Sequence, residues 1–135
     1  MDVRQLHSSG SAADTALVAL VEGYFAAVDR KDLQGCMTLF LPDAAFRIAT
    51  FGVEYRGSEE IRGMFERLFG RYAGIWHDNF RHVVQAPQRI ASQFDVENRT
   101  DGGEVIRKCN ANFFALREGR FSEVSVYMSG DNALR

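Results

Sequence analysis

The chain has few cysteines and no excess of positive charge. Its 135 residues include only two cysteines, Cys36 and Cys109, which are too few for a disulfide scaffold. Sixteen Lys and Arg residues stand against 18 Asp and Glu residues, so the formal net charge is -2. Because a phosphate backbone and an anionic membrane surface both reward a basic excess, this balance predicts no nucleic-acid partner and no membrane partner.

Long apolar runs and targeting signals are also missing. No apolar run approaches the roughly 18 residues that span a bilayer, and residues 1–14 lack the basic start and apolar stretch of a secretory signal. We therefore expect a cytoplasmic protein. Residues 1–13 are mostly small or polar and are expected to form a flexible leader.

Helical periodicity dominates the first third of the chain. Apolar residues spaced three and four apart over residues 17–28 predict a first helix, and the same spacing over residues 33–40 predicts a short second one. Asp32 is the expected N-cap of the second helix. Pro42 marks the point beyond which that helix cannot continue.

Two short strands and a third helix are predicted next. Alternation over residues 44–50 and the segment 53–56 indicate the strands. An apolar stripe over residues 61–72 indicates the helix, with Ser58 as the expected N-cap and Gly74 at its end.

The apolar period changes from 3.6 to 2 after Gly74. Four long strands are predicted over residues 76–86, 89–99, 104–117 and 120–128, separated by Pro and Gly turn signals. This order of elements predicts a single α+β domain with helices on one face of a curved sheet.

Two sets of segments carry a family resemblance. The first comprises residues 24–33 (YFAAVDRKDL), Leu39-Phe40 with Asp43, and Tyr55-Arg56-Gly57 with Ile61; the second runs from Gly119-Arg120-Phe121 to Tyr127-Met128. Together they resemble the NTF2-like superfamily, which includes ketosteroid isomerase, scytalone dehydratase and the SnoaL-like polyketide cyclases. The resemblance covers residues 14–132.

The resemblance implies a fold and an assembly. The implied fold is the NTF2-like, or cystatin-like, cone, in which three helices of the N-terminal half pack on a strongly curved, mainly antiparallel sheet. It encloses an apolar pocket for a small hydrophobic or aromatic molecule. Such domains commonly form homodimers through the outer face of the sheet.

Two histidines are candidates for proton transfer, since histidine can take and return a proton near pH 7. His77 and His82 lie on one predicted strand, and residues five apart on a regular strand face opposite sides. At most one of them is then expected to face the pocket. We favour His77, because dehydratases of the SnoaL-like group place a histidine at a similar point; the alternative is an exposed strand histidine.

Three further polar residues could act with His77. Tyr24 matches a tyrosine of ketosteroid isomerase that donates to an oxyanion, and Asn112 falls, with one gap, where that enzyme has a protonated aspartate. The alternative for Tyr24 is a tyrosine of the core without a chemical role. The alternative for Asn112 is a polar residue that fills the end of a strand near solvent. Asp29 follows Tyr24 at a spacing that resembles the bile-acid dehydratases. A five-residue spacing does not place it on the stripe of Tyr24, so Asp29 could instead close the first helix.

Other residues of the related enzymes are replaced. Residues 46–50 lack the general-base aspartate of ketosteroid isomerase, and Ser129 stands where the cyclases place an aspartate. The functional hypothesis is therefore a lyase or isomerase that uses His77. The alternative is a non-catalytic module that binds a small ligand or only dimerises.

The expected ligand contacts are apolar, and no metal or cofactor is predicted. His7, His77 and His82 do not form a cluster with metal-ligand spacing. The residues expected to contact a ligand are Phe25, Phe65, Trp76, Phe114 and Met128.

Overall fold

The computed structural model describes residues 11–135, which contain three α-helices and six strands. The helices are α1 (Ala12–Asp29), α2 (Leu33–Met37) and α3 (Gly57–Arg71). The strands are β1 (Phe40–Ile48), β2 (Val53–Arg56), β3 (Gly74–Gln85), β4 (Arg89–Arg99), β5 (Val105–Arg117) and β6 (Arg120–Met128).

The six strands form one sheet in the order β2-β1-β6-β5-β4-β3. All neighbours are antiparallel except β1 and β6, which are parallel. The helices pack on the concave face, so the predicted α+β cone is confirmed, with a mixed sheet. The apolar residues of that face and of the helices form one core.

Two predicted boundaries around Pro42 are wrong. The second helix ends at Met37, and β1 already begins at Phe40 rather than at Ala44. The pairing of β1 with β6 shifts register between Phe40 and Ala45, and this irregularity accommodates a proline, which has no N–H to donate.

The third helix begins before Ser58 and ends before Gly74. It spans Gly57–Arg71, and the Glu60 carboxylate accepts a hydrogen bond from the Arg56 main-chain N–H at 3.0 Å. This contact caps the helix start from within its first turn, so Ser58 is not needed as a cap. By contrast, the predicted capping role of Asp32 is confirmed, because its Oδ1 accepts from the Gly35 N–H at 2.9 Å.

Residues 1–10 of the expected leader lie outside the described residues. Ser11 caps α1 by accepting from the Asp14 N–H at 3.1 Å, so the helix includes Ala12 and Ala13. No helix within residues 11–135 is both long and apolar enough to cross a bilayer. The cytoplasmic location stays a prediction.

Candidate active site

A small cavity of about 50 Å³ lies between the concave sheet face and helices α1 and α3. Such a volume holds on the order of three or four water molecules. Its aromatic side is formed by Tyr24, Phe25, Phe46, Phe65 and Phe94. Its polar side is formed by His77, Asn98, Lys108, Asn110 and Asn112.

Three of the residues expected to contact a ligand line this cavity, and two do not. Phe25, Phe65 and Met128 contribute to its wall. Phe114 does not line the cavity; its ring is buried in the core, with its centroid 4.9 Å from that of the Phe121 ring.

The expected ligand contact of Trp76 is wrong, because this side chain lies on the outer face of the sheet. Ile75 and His77 both line the cavity, so the residue between them on β3 points away from it. Trp76 is 41% exposed, and the Arg99 guanidinium lies 4.7 Å from the centre of its ring.

His77 and Asp29 form a two-point contact at the cavity. The Nδ1 of His77 lies 2.6 Å from Asp29 Oδ1, and the main-chain N–H of His77 donates to Asp29 Oδ2 at 3.0 Å. The His77 ring is also held by aromatic neighbours, with ring centroids 4.6 Å from Phe25 and 5.5 Å from Phe94. The imidazole therefore has a fixed position and orientation.

The contact with Asp29 determines which nitrogen of His77 carries the hydrogen in the neutral ring. A carboxylate only accepts hydrogen bonds, so Nδ1 must be the N–H donor. Nε2 then has its lone pair free, and it has no hydrogen-bond partner within residues 11–135. A neutral histidine in this tautomer can act as a base through Nε2.

The structure brings Asp29 to the site although it is not on the stripe of Tyr24. Asp29 is the last residue of α1, and β3 packs across this end of the helix. The C-terminal end of a helix carries a partial negative charge, which destabilises a carboxylate placed there. A hydrogen-bond donor beside the carboxylate offsets this effect, and His77 supplies one to Asp29. The expectation that Asp29 closes the first helix is confirmed, whereas its contact with His77 has no signal in the local sequence.

The expectation that His77 and His82 face opposite sides is wrong. Asn79 adopts a φ of 57°, and the pairing of β3 with β4 shifts register between Asp78 and Arg81. This irregularity resets the alternation, so His82 also lies on the concave side, with its ring stacked 5.7 Å from Phe80.

His82 is also paired with a carboxylate, but it does not line the cavity. Its Nε2 lies 2.8 Å from Glu22 Oε2, and its Nδ1 lies 2.8 Å from Ser92 Oγ. Both nitrogens of His82 are therefore occupied by protein groups. Of the two histidines, only His77 has a ring nitrogen available to a molecule in the cavity.

Tyr24 contributes a neutral hydroxyl to the cavity wall. The side chain is 3% exposed, and burial raises the pKa of Tyr24 well above its ordinary value, with smaller contributions from Cys36 and Asp29. The phenol thus keeps its proton at physiological pH and can donate a hydrogen bond.

The asparagines of the polar side are buried and only partly satisfied. Asn112 and Asn98 are 3% and 2% exposed, and the Oδ1 of each has no hydrogen-bond partner in the part of the chain that the structure describes. Asn110 is satisfied, since its Oδ1 accepts from the Ser129 N–H at 3.3 Å. Buried polar groups are rarely left unpaired, so these two amides mark a place for a polar ligand.

Lys108 is a site residue that sequence reasoning missed. It is 7% exposed, and its ammonium donates to the main-chain oxygens of Ser129, at 2.8 Å, and of Asp131. Burial lowers the pKa of Lys108, and the negative charge of Asp131 opposes this effect. A lysine two residues before Asn110 on a predicted strand was the available signal, because alternation places both on one face.

Within residues 11–135, no group of three or more His, Cys, Asp or Glu side chains has an arrangement that could hold a metal ion. The polar groups that the site offers are acid–base and hydrogen-bonding groups.

A curved sheet that encloses a cavity together with helices is the architecture of ketosteroid isomerase-like α+β domains. Residues 21–124 match the model of the SnoaL-like domain family. The chain belongs to this family, as its resemblance to the NTF2-like superfamily implied.

Solved structures with the same fold share little sequence with the chain. A protein proposed to be a polyketide cyclase from Xanthomonas campestris pv. campestris has 18% identity and a TM-score of 0.76, over 85% of this chain and 91% of that one. Another such protein, from Pseudomonas putida KT2440, has 21% identity and a TM-score of 0.73, over 80% and 87%.

A third similar structure was solved with a small molecule bound. It is a hypothetical protein with a ketosteroid isomerase-like fold from Catenulispora acidiphila, in complex with trimethylamine. It has 16% identity and a TM-score of 0.71, over 80% of this chain and 83% of that one. No curated protein matches the chain significantly. At these identities the comparisons establish the fold and not the reaction.

Proposed function

We propose that the chain is a lyase or isomerase that moves a proton on a small apolar or aromatic substrate. The observation that carries this proposal is the 2.6 Å contact between His77 Nδ1 and Asp29 Oδ1 in the wall of the cavity. It leaves Nε2 as a positioned base. Asp29 acts through His77 and is a positioning residue rather than a catalytic one.

The proposed step begins with a substrate carbonyl group. His77 Nε2 takes a proton from the neighbouring carbon; the C–H bond breaks, and its electron pair moves onto the carbonyl oxygen. The Tyr24 hydroxyl and the Asn112 amide N–H donate to this oxygen as negative charge develops, which lowers the barrier. The proton then returns to another carbon in an isomerisation, or to a leaving hydroxyl that departs as water in an elimination.

A non-catalytic small-ligand-binding or dimerisation module is the second candidate function. The cavity of about 50 Å³ is well below the roughly 300–1,000 Å³ of common ligand pockets, because aromatic side chains fill most of the cone. This observation favours a very small ligand, or a cone whose interior serves only as a core. The carboxylate–histidine pair distinguishes the first candidate, since a core alone does not require it.

Exchange of carbon-bound hydrogen with solvent tests the proposal without a known substrate. The full chain is incubated in D₂O with cyclohexanone, acetophenone or pyruvate, and loss of the α-proton signal is followed by NMR. We expect exchange above the buffer rate with at least one ketone, and a loss of roughly 100-fold in His77→Ala, as for removal of a positioned general base.

His82→Ala is the matched control for this experiment. It removes a second carboxylate-paired histidine from the same strand, but one that does not line the cavity. We expect exchange in this variant to stay within about 2-fold of the unchanged chain, because the lost group is not a general base. Equal losses in both variants, or no exchange with any ketone, would favour the binding module.

We also propose a homodimer formed through the outer face of the sheet. The large side chains exposed there include Val83 at 75%, Phe113 at 53% and Tyr127 at 50%. The rings of Phe113 and Tyr127 pack edge to face with centroids 5.7 Å apart. An apolar patch of this kind on a sheet face is typical of a protein interface.

A further inference from the structure

Lys108 is the one lysine on the concave face of the sheet, since the chain has only one other, Lys31, in the loop after α1. The Lys108 ammonium has three N–H groups, and two of them are directed to the main-chain oxygens of Ser129 and Asp131. One donor is left over. Within residues 11–135, no carboxylate forms an ion pair with this ammonium.

A buried cation that forms no ion pair is costly, and a bound anion would reduce that cost. A Cβ at Gly130 would lie 3.0 Å from Lys108 Nζ, so the ammonium lies against the main chain of residues 129–131. The Lys108 side chain also lines the cavity.

The strand register sets the distance between Lys108 and His77. Both residues pair with Val96, Lys108 from β5 and His77 from β3. Their Cα positions are therefore two strand spacings apart, or about 10 Å. Because both side chains lie on the concave face, the space between the Lys108 and His77 side chains is about as long as a short carbon chain or a single ring.

We propose that the ligand of this cavity is a small carboxylate, whose carboxylate group binds the Lys108 ammonium and whose carbon skeleton lies against the aromatic side. This proposal rests on the proposed function for the role of the bound molecule, but its binding step does not require that His77 be a base. It narrows the substrate class from small apolar molecules to small apolar acids.

The test compares acids with neutral amides of nearly the same shape. Propionate and propionamide, and benzoate and benzamide, are titrated into the full chain by calorimetry. We expect the acid to bind ten-fold or more tightly than the amide in at least one pair, as for a charge-assisted hydrogen bond. The two sizes separate recognition of the charge from the room in the cavity.

Variants then assign the preference to one residue. Lys108→Met should lower the affinity for the acid to that for the amide, while Arg107→Met, the same loss of charge on the exposed neighbouring residue, should leave it unchanged. His77→Ala should keep the preference for the acid. If that variant loses solvent exchange but keeps acid binding, both proposals are supported; failure of one does not imply failure of the other.

A second measurement does not depend on the folding of Lys108→Met. Lysine labelled with ¹³C at Cε gives two signals, from Lys31 and Lys108. The acid should shift the Lys108 signal and leave that of Lys31 in place, and the amide should shift neither. Equal affinity for acid and amide in both pairs, or an acid-induced shift confined to Lys31, would overturn the proposal.

Discussion

Cys36 and Tyr24 are buried ionisable side chains near the candidate site. Burial raises the pKa of the Cys36 thiol to about 12, and the negative charge of Asp32 adds to this effect. Burial likewise raises the pKa of Tyr24. Both groups are therefore neutral in the folded chain at a pH where they would ionise in the unfolded chain.

The free energy of unfolding should consequently fall as the solution becomes alkaline. A group with a raised folded-state pKa contributes full stability below its unfolded-state pKa, which for Cys36 is 9.0. Between pH 8 and pH 10 this thiol alone should cost about 1.4 kcal/mol. Denaturant unfolding at both pH values measures the loss.

Cys36→Ala is the control for the alkaline loss, because it removes the titrating thiol. It should be less stable than the unchanged chain at pH 8, owing to the lost packing, but should lose less stability between pH 8 and pH 10. An identical loss in the two proteins would show that the thiol is not responsible.

The residues of the site show where sequence reasoning succeeds and where it stops. Tyr24 could be selected from its place in the apolar stripe of the first helix. His77 could be selected from the resemblance to SnoaL-like dehydratases and from the ability of histidine to exchange a proton near pH 7. The contact between Asp29 and His77 joins residues 48 positions apart, so no local pattern contains it. The inward side of His82 depends on an irregularity at Asn79, and a strict period of two has no means of predicting one.

Among the hairpins of the sheet, the one between β5 and β6 has the shortest connection. Glu118 and Gly119 form its turn, with φ values of 57° and 75°. Two successive positive φ values are the geometry of a type I′ turn, in which Asn-Gly is the preferred pair. Glu118 is therefore a residue in a backbone conformation that its side chain disfavours.

Glu118→Asn should stabilise the protein, because Asn adopts this conformation at lower cost. We expect the free energy of unfolding to rise by about 0.5–1 kcal/mol. Gly119→Ala should lower it by about 1 kcal/mol or more, since a Cβ at Gly119 would meet no other atom within 4 Å and the cost is that of the backbone alone. Effects of the reverse sign in either variant would contradict this reading of the turn.

Element boundaries could be predicted where the chain reverses in a tight turn. β4 and β6 begin and end at the predicted residues, 89–99 and 120–128, because turn residues bracket them. The predicted strand over residues 44–50 begins four residues after the start of β1, because Pro42 indicates the end of a helix in the sequence. A proline at an irregularity in a strand has the same sequence signature as a proline after a helix.

At the scale of the whole molecule, the outer face of the sheet remains exposed in the single chain. If Phe113 and Tyr127 are covered by a second chain, sedimentation at micromolar concentration should give twice the 15.2 kDa of one chain. Phe113→Asp should then give the single-chain mass, because a buried carboxylate without a partner is strongly disfavoured.

Phe51→Asp is the matched control for the assembly. Phe51 is also a large exposed aromatic residue, at 44%, but it lies on the short turn between β1 and β2 rather than on the outer face of the sheet. This variant should keep the mass of the dimer. If the unchanged protein sediments with the mass of a single chain, the proposed dimer interface on the outer face of the sheet is wrong.

In the proposed mechanism, His77 presents a free basic nitrogen to the cavity because Asp29 holds the other one. His82 makes the opposite arrangement, with Nε2 directed to Glu22 and Nδ1 to Ser92. The most direct measurement is ¹⁵N NMR of the histidine rings in the full chain, with signals assigned through His77→Ala and His82→Ala. In the neutral rings, we predict the hydrogen on Nδ1 of His77 and on Nε2 of His82, and we predict loss of the Nδ1 preference in Asp29→Ala. A hydrogen on Nε2 of His77, or an unchanged His77 spectrum in Asp29→Ala, would show that Asp29 does not set the tautomer and would remove His77 as the proposed base.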